Sequence, residues 1–196
     1  MSAFSMERGY NAAMPGVNPL PMVWLFSDAR NDAALESALE ALPAGSGFVF
    51  RHYHLSPADR AERYRALAAI ARTREHRIVI SGNNSLAAQL DADGIYGAAP
   101  ALGPPTGTML RLAAAHDGDE IQAALAAGAD GIFLSPVFPT ASHPDARPLG
   151  IHGFHVLAMQ SPVPIIALGG MDARRAEQLA WPRWGAIDGL ASPTGA

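Results

Sequence analysis

From Met22 onward, short runs rich in Val, Ile, Leu and Phe alternate with longer alanine-rich segments whose apolar residues recur at helical spacing. This is how repeated βα units read. The pattern predicts strands over Met22–Phe26, Gly47–Phe50, Arg77–Ile80, Gly94–Tyr96, Met109–Ala113, Gly131–Leu134, Pro164–Leu168 and Gly185–Leu190. Helices are predicted over Asp32–Leu42, Ala58–Arg74, Asn84–Leu90, Gly118–Ala127, Ile151–Gln160 and Asp172–Ala180. In the first helix Ala33, Leu35, Leu39 and Leu42 share a face; in the second, Tyr64, Leu67, Ala68 and Ala71 do. Ser56-Pro57 and Asp117 are start signals, and Pro43 with Gly45 is a stop.

The fourth crossover, Gly97–Gly107, carries too much Pro and Gly for a helix. The phrase Ala92-Asp93-Gly94-Ile95 recurs as Ala129-Asp130-Gly131-Ile132 and, less closely, as Ile187-Asp188-Gly189-Leu190, each read as leading into a strand. Eight strands with this self-similarity predict a single-domain α/β fold, a closed (β/α)8 TIM barrel over residues 22–196 that lacks a full eighth helix. A doubly wound open sheet is the alternative. Residues 1–21 read as an N-terminal arm.

Composition narrows the chemistry. The chain has 196 residues, no Cys, and 14 basic residues that are all Arg. Thiolate metal sites, cysteine nucleophiles and lysine Schiff bases are thereby excluded. A formal net charge of -4 argues against general nucleic-acid binding, and no apolar run is long enough to span a bilayer. No secretory signal is visible, so a cytoplasmic location is expected.

In such a barrel the active site lies at the C-terminal ends of the strands. There Gly169-Gly170, after strand seven, would let backbone N–H groups approach a phosphate, with Ser192 and Thr194 nearby after strand eight. The long loop Ser135–Pro148, with Thr140, Ser142, His143 and Arg147, suits a substrate cover. Arg51, ending strand two, could clamp a phosphate or carboxylate, or serve only as a salt-bridged rim residue. His52 and His54 would share a face if extended; a metal there would need Asp28, His116 or Asp117 as further ligands, and no metal site is assigned. His152 and His155 read as surface or packing residues, and Trp181 and Trp184 as packing between the last helix and strand.

The segments Gly128-Ala129-Asp130-Gly131, Pro136-Val137-Phe138-Pro139-Thr140, Pro148-Leu149-Gly150 and Pro162-Val163-Pro164-Ile165-Ile166-Ala167-Leu168-Gly169-Gly170-Met171 resemble the C-terminal half of thiamine phosphate synthase and its thiazole tautomerase relatives. The match covers about Leu110–Ser192 and aligns more weakly back to Met22. The resemblance implies a (β/α)8 barrel that joins a pyrimidine diphosphate to a thiazole phosphate, with magnesium on the departing diphosphate. It implies that Thr140, Ser142, Gly169, Gly170 and Ser192 bind substrate, and that Arg51, with His143 and His116, works at the reacting end. Where the family has lysines, this chain has Tyr53 and His143. Where the family has its magnesium-binding Asn-Asp after strand three, this chain has Ser81-Gly82; the aspartate after strand four falls near Ala101, and the serine after strand five is Ala114. A tautomerase's basic histidine aligns with Pro136.

Three readings stay open at this stage: a divergent synthase, a non-catalytic or regulatory barrel that binds a phosphorylated ligand, and a tautomerase-like enzyme using His116 or His143 as base. All three imply small phosphorylated ligands as partners, no nucleic acid, no membrane, and a barrel that could self-associate as a homo-oligomer.

Overall fold

The computed structural model describes residues 20–142 and 145–190. Eight parallel strands close into a barrel in sequence order: β1 Val23–Phe26, β2 Gly47–Phe50, β3 Arg77–Ser81, β4 Gly94–Ala98, β5 Leu110–Ala115, β6 Gly131–Leu134, β7 Ile165–Ala167 and β8 Trp184–Ala186. The ring is sealed by β8 pairing with β1, Val23 opposite Trp184. That closure excludes the open sheet.

Among the described residues six α-helices line the outside: α1 Leu35–Ala41, α2 Pro57–Thr73, α3 Asn84–Gln89, α4 Gly118–Ala126, α5 Gly150–Ala158 and α6 Ala173–Leu179. The fourth crossover holds only a 3-10 turn, Ala99–Leu102. No eighth helix occurs among the described residues, and most of the predicted arm, residues 1–19, lies outside them. Ser56 and Asp117 cap their helices as expected, and Asn83 and Asp172 join them; each of the four accepts a backbone N–H from the first turn of its helix. No described helix is long and apolar enough to cross a membrane.

Alternation along the strands makes two cores. Trp24, Phe26, Val49, Val79, Leu112, Phe133 and Ile166 fill the barrel, while Leu25, Phe48, Phe50, Ile78, Ile80 and Ile165 face the helices. Inside, Phe133 meets Trp24, Phe26 and Tyr96 edge to face at 4.9–5.5 Å. Each such side chain contributes about 1.5–3 kcal/mol by leaving water. The barrel interior is therefore a packed core.

Four sequence expectations change. First, the Asp32 helix begins as a 3-10 turn, Asp32–Ala34, because Asn31 does not cap it; the Asn31 amide instead bonds the Phe26 and Ile187 carbonyls, and Ala33 is exposed. Second, β5 runs to Ala115, placing Ala114 inside a strand. Third, β8 is short and begins at Trp184, while Trp181 packs on α5, 5.3 Å from Phe154, with its indole N–H on the Ile165 carbonyl. Fourth, the third copy of the repeat follows a strand rather than preceding one. In the first two copies the aspartate makes a reciprocal pair with the start of the previous strand: Asp93 with Ile78 (2.8 and 2.6 Å) and Asp130 with Arg111 (both 2.8 Å). Asp188 stands past β8 and pairs with Arg30 at 3.7 Å.

Candidate active site

Because all strands run parallel, their C-terminal ends meet at one mouth, and a cavity of 530 Å³ opens there. It is lined from β2 by Arg51, from β4 by Tyr96, from β5 by His116, from the loop after β6 by Ser135, Pro136 and Pro139–Ser142, from β7 by Leu168–Asp172 and from β8 by Ala186–Gly189. Arg51, His116, Thr140, Ser142, Gly169 and Gly170 thus share one cavity. His143 and Ser192 lie outside the described residues.

The glycine pair is shaped by its neighbour loop. Phe138 N–H donates to the Gly169 carbonyl (3.1 Å) and Val137 N–H to the Leu168 carbonyl (2.9 Å), which lays the β6 loop against the β7 loop. Gly169 has φ +89° and Gly170 φ +63°. A Cβ on Gly169 would sit 2.6 Å from Pro136 Cα, and one on Gly170 would run into the Pro139 carbonyl oxygen. Both positions therefore demand glycine twice over, by conformation and by contact. Their own N–H groups reach no acceptor among the described residues, so they can receive an anion. Arg175 reinforces the turn by donating to the Gly170 carbonyl, its guanidinium over the Phe138 ring.

Across the mouth, charge is arranged in a chain. Arg51 donates to the Ser27 carbonyl (3.0 Å) and to Asp28 Oδ2 (2.7 Å), and lies over Phe26. The other Asp28 oxygen accepts from Arg30 Nε (3.1 Å), and Arg30 reaches on to Ser142 Oγ (2.8 Å). Burial would raise the Asp28 carboxyl, but the Arg30 backbone N–H and both guanidinium groups outweigh it and hold it below 3.8. Tyr96 forms part of the wall; burial pushes its phenol up to about 12, against the pull of Arg51, so it stays a neutral donor. His116 is oriented by Glu120, whose Oε2 meets both Nδ1 (2.7 Å) and the His116 backbone N–H (2.8 Å).

His52 and His54 do not form a metal site. His52 leaves the strand at φ +39°, is buried, and stacks on Phe50. Its two ring nitrogens meet Ser27 Oγ (2.8 Å) and Asp32 Oδ1 (2.7 Å), so neither is open to an ion. His155 packs, its Nε2 on the Leu179 carbonyl.

Among the described residues the magnesium that the resemblance implies finds no matching donor cluster. After β3, the Ser81 hydroxyl is engaged by Tyr53, the Ser81 carbonyl accepts from Arg60, and the Asn83 side chain caps α3. No group of three or more His, Asp or Glu side chains able to hold a metal occurs among the described residues. The residues present do not fit the ion.

Sequence reasoning missed Arg30, Tyr96 and Arg175. Arg30 sits in a segment that reads as turn and cap, and Tyr96 was the last residue of a predicted strand. Arg175 follows Asp172 by three, so the first turn of α6 carries it back to the glycine pair. Spacing along that helix was the available signal.

The model of the thiamine monophosphate synthase family matches residues 23–191. Thiamine-phosphate synthase of Chloroflexus aurantiacus is 28% identical over 79% of this chain and 74% of its own length, and that of Anoxybacillus flavithermus 31% identical over 71% and 70%. Among solved structures, thiamine phosphate pyrophosphorylase from Pyrococcus furiosus superposes with a TM-score of 0.70, covering 88% of each chain at 21% identity, a likeness of fold.

Proposed function

The chain belongs to the thiamine monophosphate synthase family, and on that premise we propose that it joins hydroxymethylpyrimidine diphosphate to thiazole phosphate at the barrel mouth, in the cytoplasm. The carrying observation is the glycine pair: two adjacent residues at positive φ, lining the cavity, with N–H groups that have no acceptor among the described residues. On this reading they receive the thiazole phosphate, with the hydroxyl groups of Thr140 and Ser142 beside it. Ser192 completes the set, and His143 works with Arg51 and His116 at the reacting end.

The reaction is a substitution. The bond between the pyrimidine methylene carbon and the diphosphate oxygen breaks, its electron pair leaving with the diphosphate. The lone pair of the thiazole ring nitrogen forms the new carbon–nitrogen bond, giving thiamine phosphate. Arg51 meets the negative charge that grows on the departing group, and charge-assisted bonds of that kind are roughly twice as strong as neutral ones. His116, held by Glu120, lines the same cavity from the end of β5.

One observation favours a second reading. Arg51 is already paired with Asp28, as in a barrel that keeps the phosphate half of the site and binds a phosphorylated ligand without turnover. Incubation with both substrates separates the two. Thiamine phosphate formation abolished by Arg51→Ala supports the synthase; no product, with thiazole phosphate still raising the melting temperature, supports the binder. No product and no shift would overturn both.

A further inference from the structure

At the end of β3, where the resemblance places metal-binding residues, this fold places a guanidinium. Arg60, in the first turn of α2, donates from Nε to the Arg51 carbonyl (2.7 Å) and from a terminal nitrogen to the Ser81 carbonyl (2.6 Å). It lies over the rings of Phe50 and Tyr53. A fixed cation at this point repels a divalent one.

The nearby acids are committed elsewhere. Asp28 lies between Arg30 and Arg51, and Asp32 between His52 and Arg63. Asp188 is 3.7 Å from Arg30, and Asp172 caps α6. Beside the cavity that Arg51 lines, the Asp28 carboxylate instead bridges Arg51 and Arg30. The Arg51 side chain is 16% exposed and that of Arg30 36%, so Arg51 is anchored while Arg30 stands at the rim.

We propose that the β1 to β3 side of the mouth is a metal-independent phosphoanion site, in which Arg30 and Arg51, bridged by Asp28 and backed by Arg60, take a diphosphate directly in place of a divalent cation. Arginine suits this task because its planar fork stays charged and matches two phosphate oxygens at once. Arg30 also touches Ser142, which ties the site to the β6 loop. The inference rests on reading the mouth as a phosphate-ester site, but it concerns the arginines after β1 and β2 rather than the glycine pair after β7.

The test is titration calorimetry of the full chain with inorganic pyrophosphate, in EDTA and in excess magnesium. Binding should persist in EDTA and be no tighter in excess magnesium, which itself complexes pyrophosphate, and Arg30→Gln should weaken binding in EDTA roughly tenfold, one charge-assisted contact's worth. Arg51→Met should weaken it at least as much; because Arg51 also braces Ser27, Arg30→Gln at the rim keeps the test valid if that variant misfolds. Binding seen only with magnesium, no binding in either condition, or binding in EDTA indifferent to Arg30→Gln would each overturn the proposal. A failure here with thiazole phosphate still raising the melting temperature leaves the glycine-pair reading intact. Pyrophosphate binding with no thiazole phosphate effect does the reverse.

Discussion

The buried imidazole beside Arg51 makes acid stability a sharp probe of the mouth. Ser27 Oγ accepts the Arg51 backbone N–H at 2.7 Å, which leaves its hydroxyl hydrogen for His52 Nδ1; His52 Nε2 then carries the proton and donates to Asp32. This relay requires a neutral ring. Burial lowers the His52 pKa below 6.5, overriding the upward pull of Asp32. His76, with Nε2 on the Leu39 carbonyl and a buried Nδ1 that has no partner among the described residues, is lowered by burial too. Above pH 6.5 both rings are neutral folded and unfolded, so their contribution is fully present. As pH falls from 6.5 toward the lowered native values, the unfolded chain takes up protons that the native state refuses, and stability drops. Each ring contributes a slope of at most about 1.4 kcal/mol per pH unit, so the pair gives at most about 2.8. A second loss follows at lower pH, as Asp28 and Asp32 are protonated below 3.8 and Glu36 below 4.5. His52→Asn is the perturbation: asparagine tolerates positive φ, accepts from Ser27 and does not titrate. Urea denaturation from about pH 7.5 to about pH 5 should show the wild-type slope roughly halved in the variant, with a lower baseline from the lost Phe50 stack. An unchanged slope would refute the assignment.

Gly170→Ala places a side chain at φ +63° against the Pro139 carbonyl. Calorimetry should show a destabilisation of about 2 kcal/mol or more, some 4–8 °C in a chain this size, together with loss of stabilisation by thiazole phosphate. Arg111 is buried and donates to the carbonyls of Leu102, Gly103, Pro104, Ala127 and Gly128, tying the end of α4 to the fourth crossover. Arg111→Met should cost about 3–5 kcal/mol by denaturant unfolding without altering ligand affinity at the opposite end. Asp93→Ala and Asp130→Ala each remove an acceptor from a strand start. Each should cost about 1–2 kcal/mol in the same assay, and the double variant should show their sum within about 0.5 kcal/mol.

Most of the barrel was legible because period-2 and period-3.6 patterning and cap residues are local signals. Ser56 and Asp117 cap where they should. The repeat was legible as a pattern but not as a mechanism, since the bond from Asp93 back to Ile78 joins different strands. Its third copy misled because Asp188-Gly189 serves the mouth instead. In the site, the glycine pair and Arg51 could be read from position, while Arg30 and Arg60 could not. Their roles depend on which carbonyl or carboxylate lies across the barrel, and charge in a turn or on a helix face has no periodic signature. The HxH spacing failed because Phe50 ends the strand and His52 turns inward at positive φ.

The central claim is that the N–H groups of Gly169 and Gly170 hold the phosphate of the ligand. With 15N-glycine labelling, titration of thiazole phosphate should move these two amide resonances furthest among the glycines, saturating together, and inorganic phosphate should move the same pair at higher concentration. If both stay in place while thiazole phosphate binds, the phosphate lies elsewhere and the account is wrong.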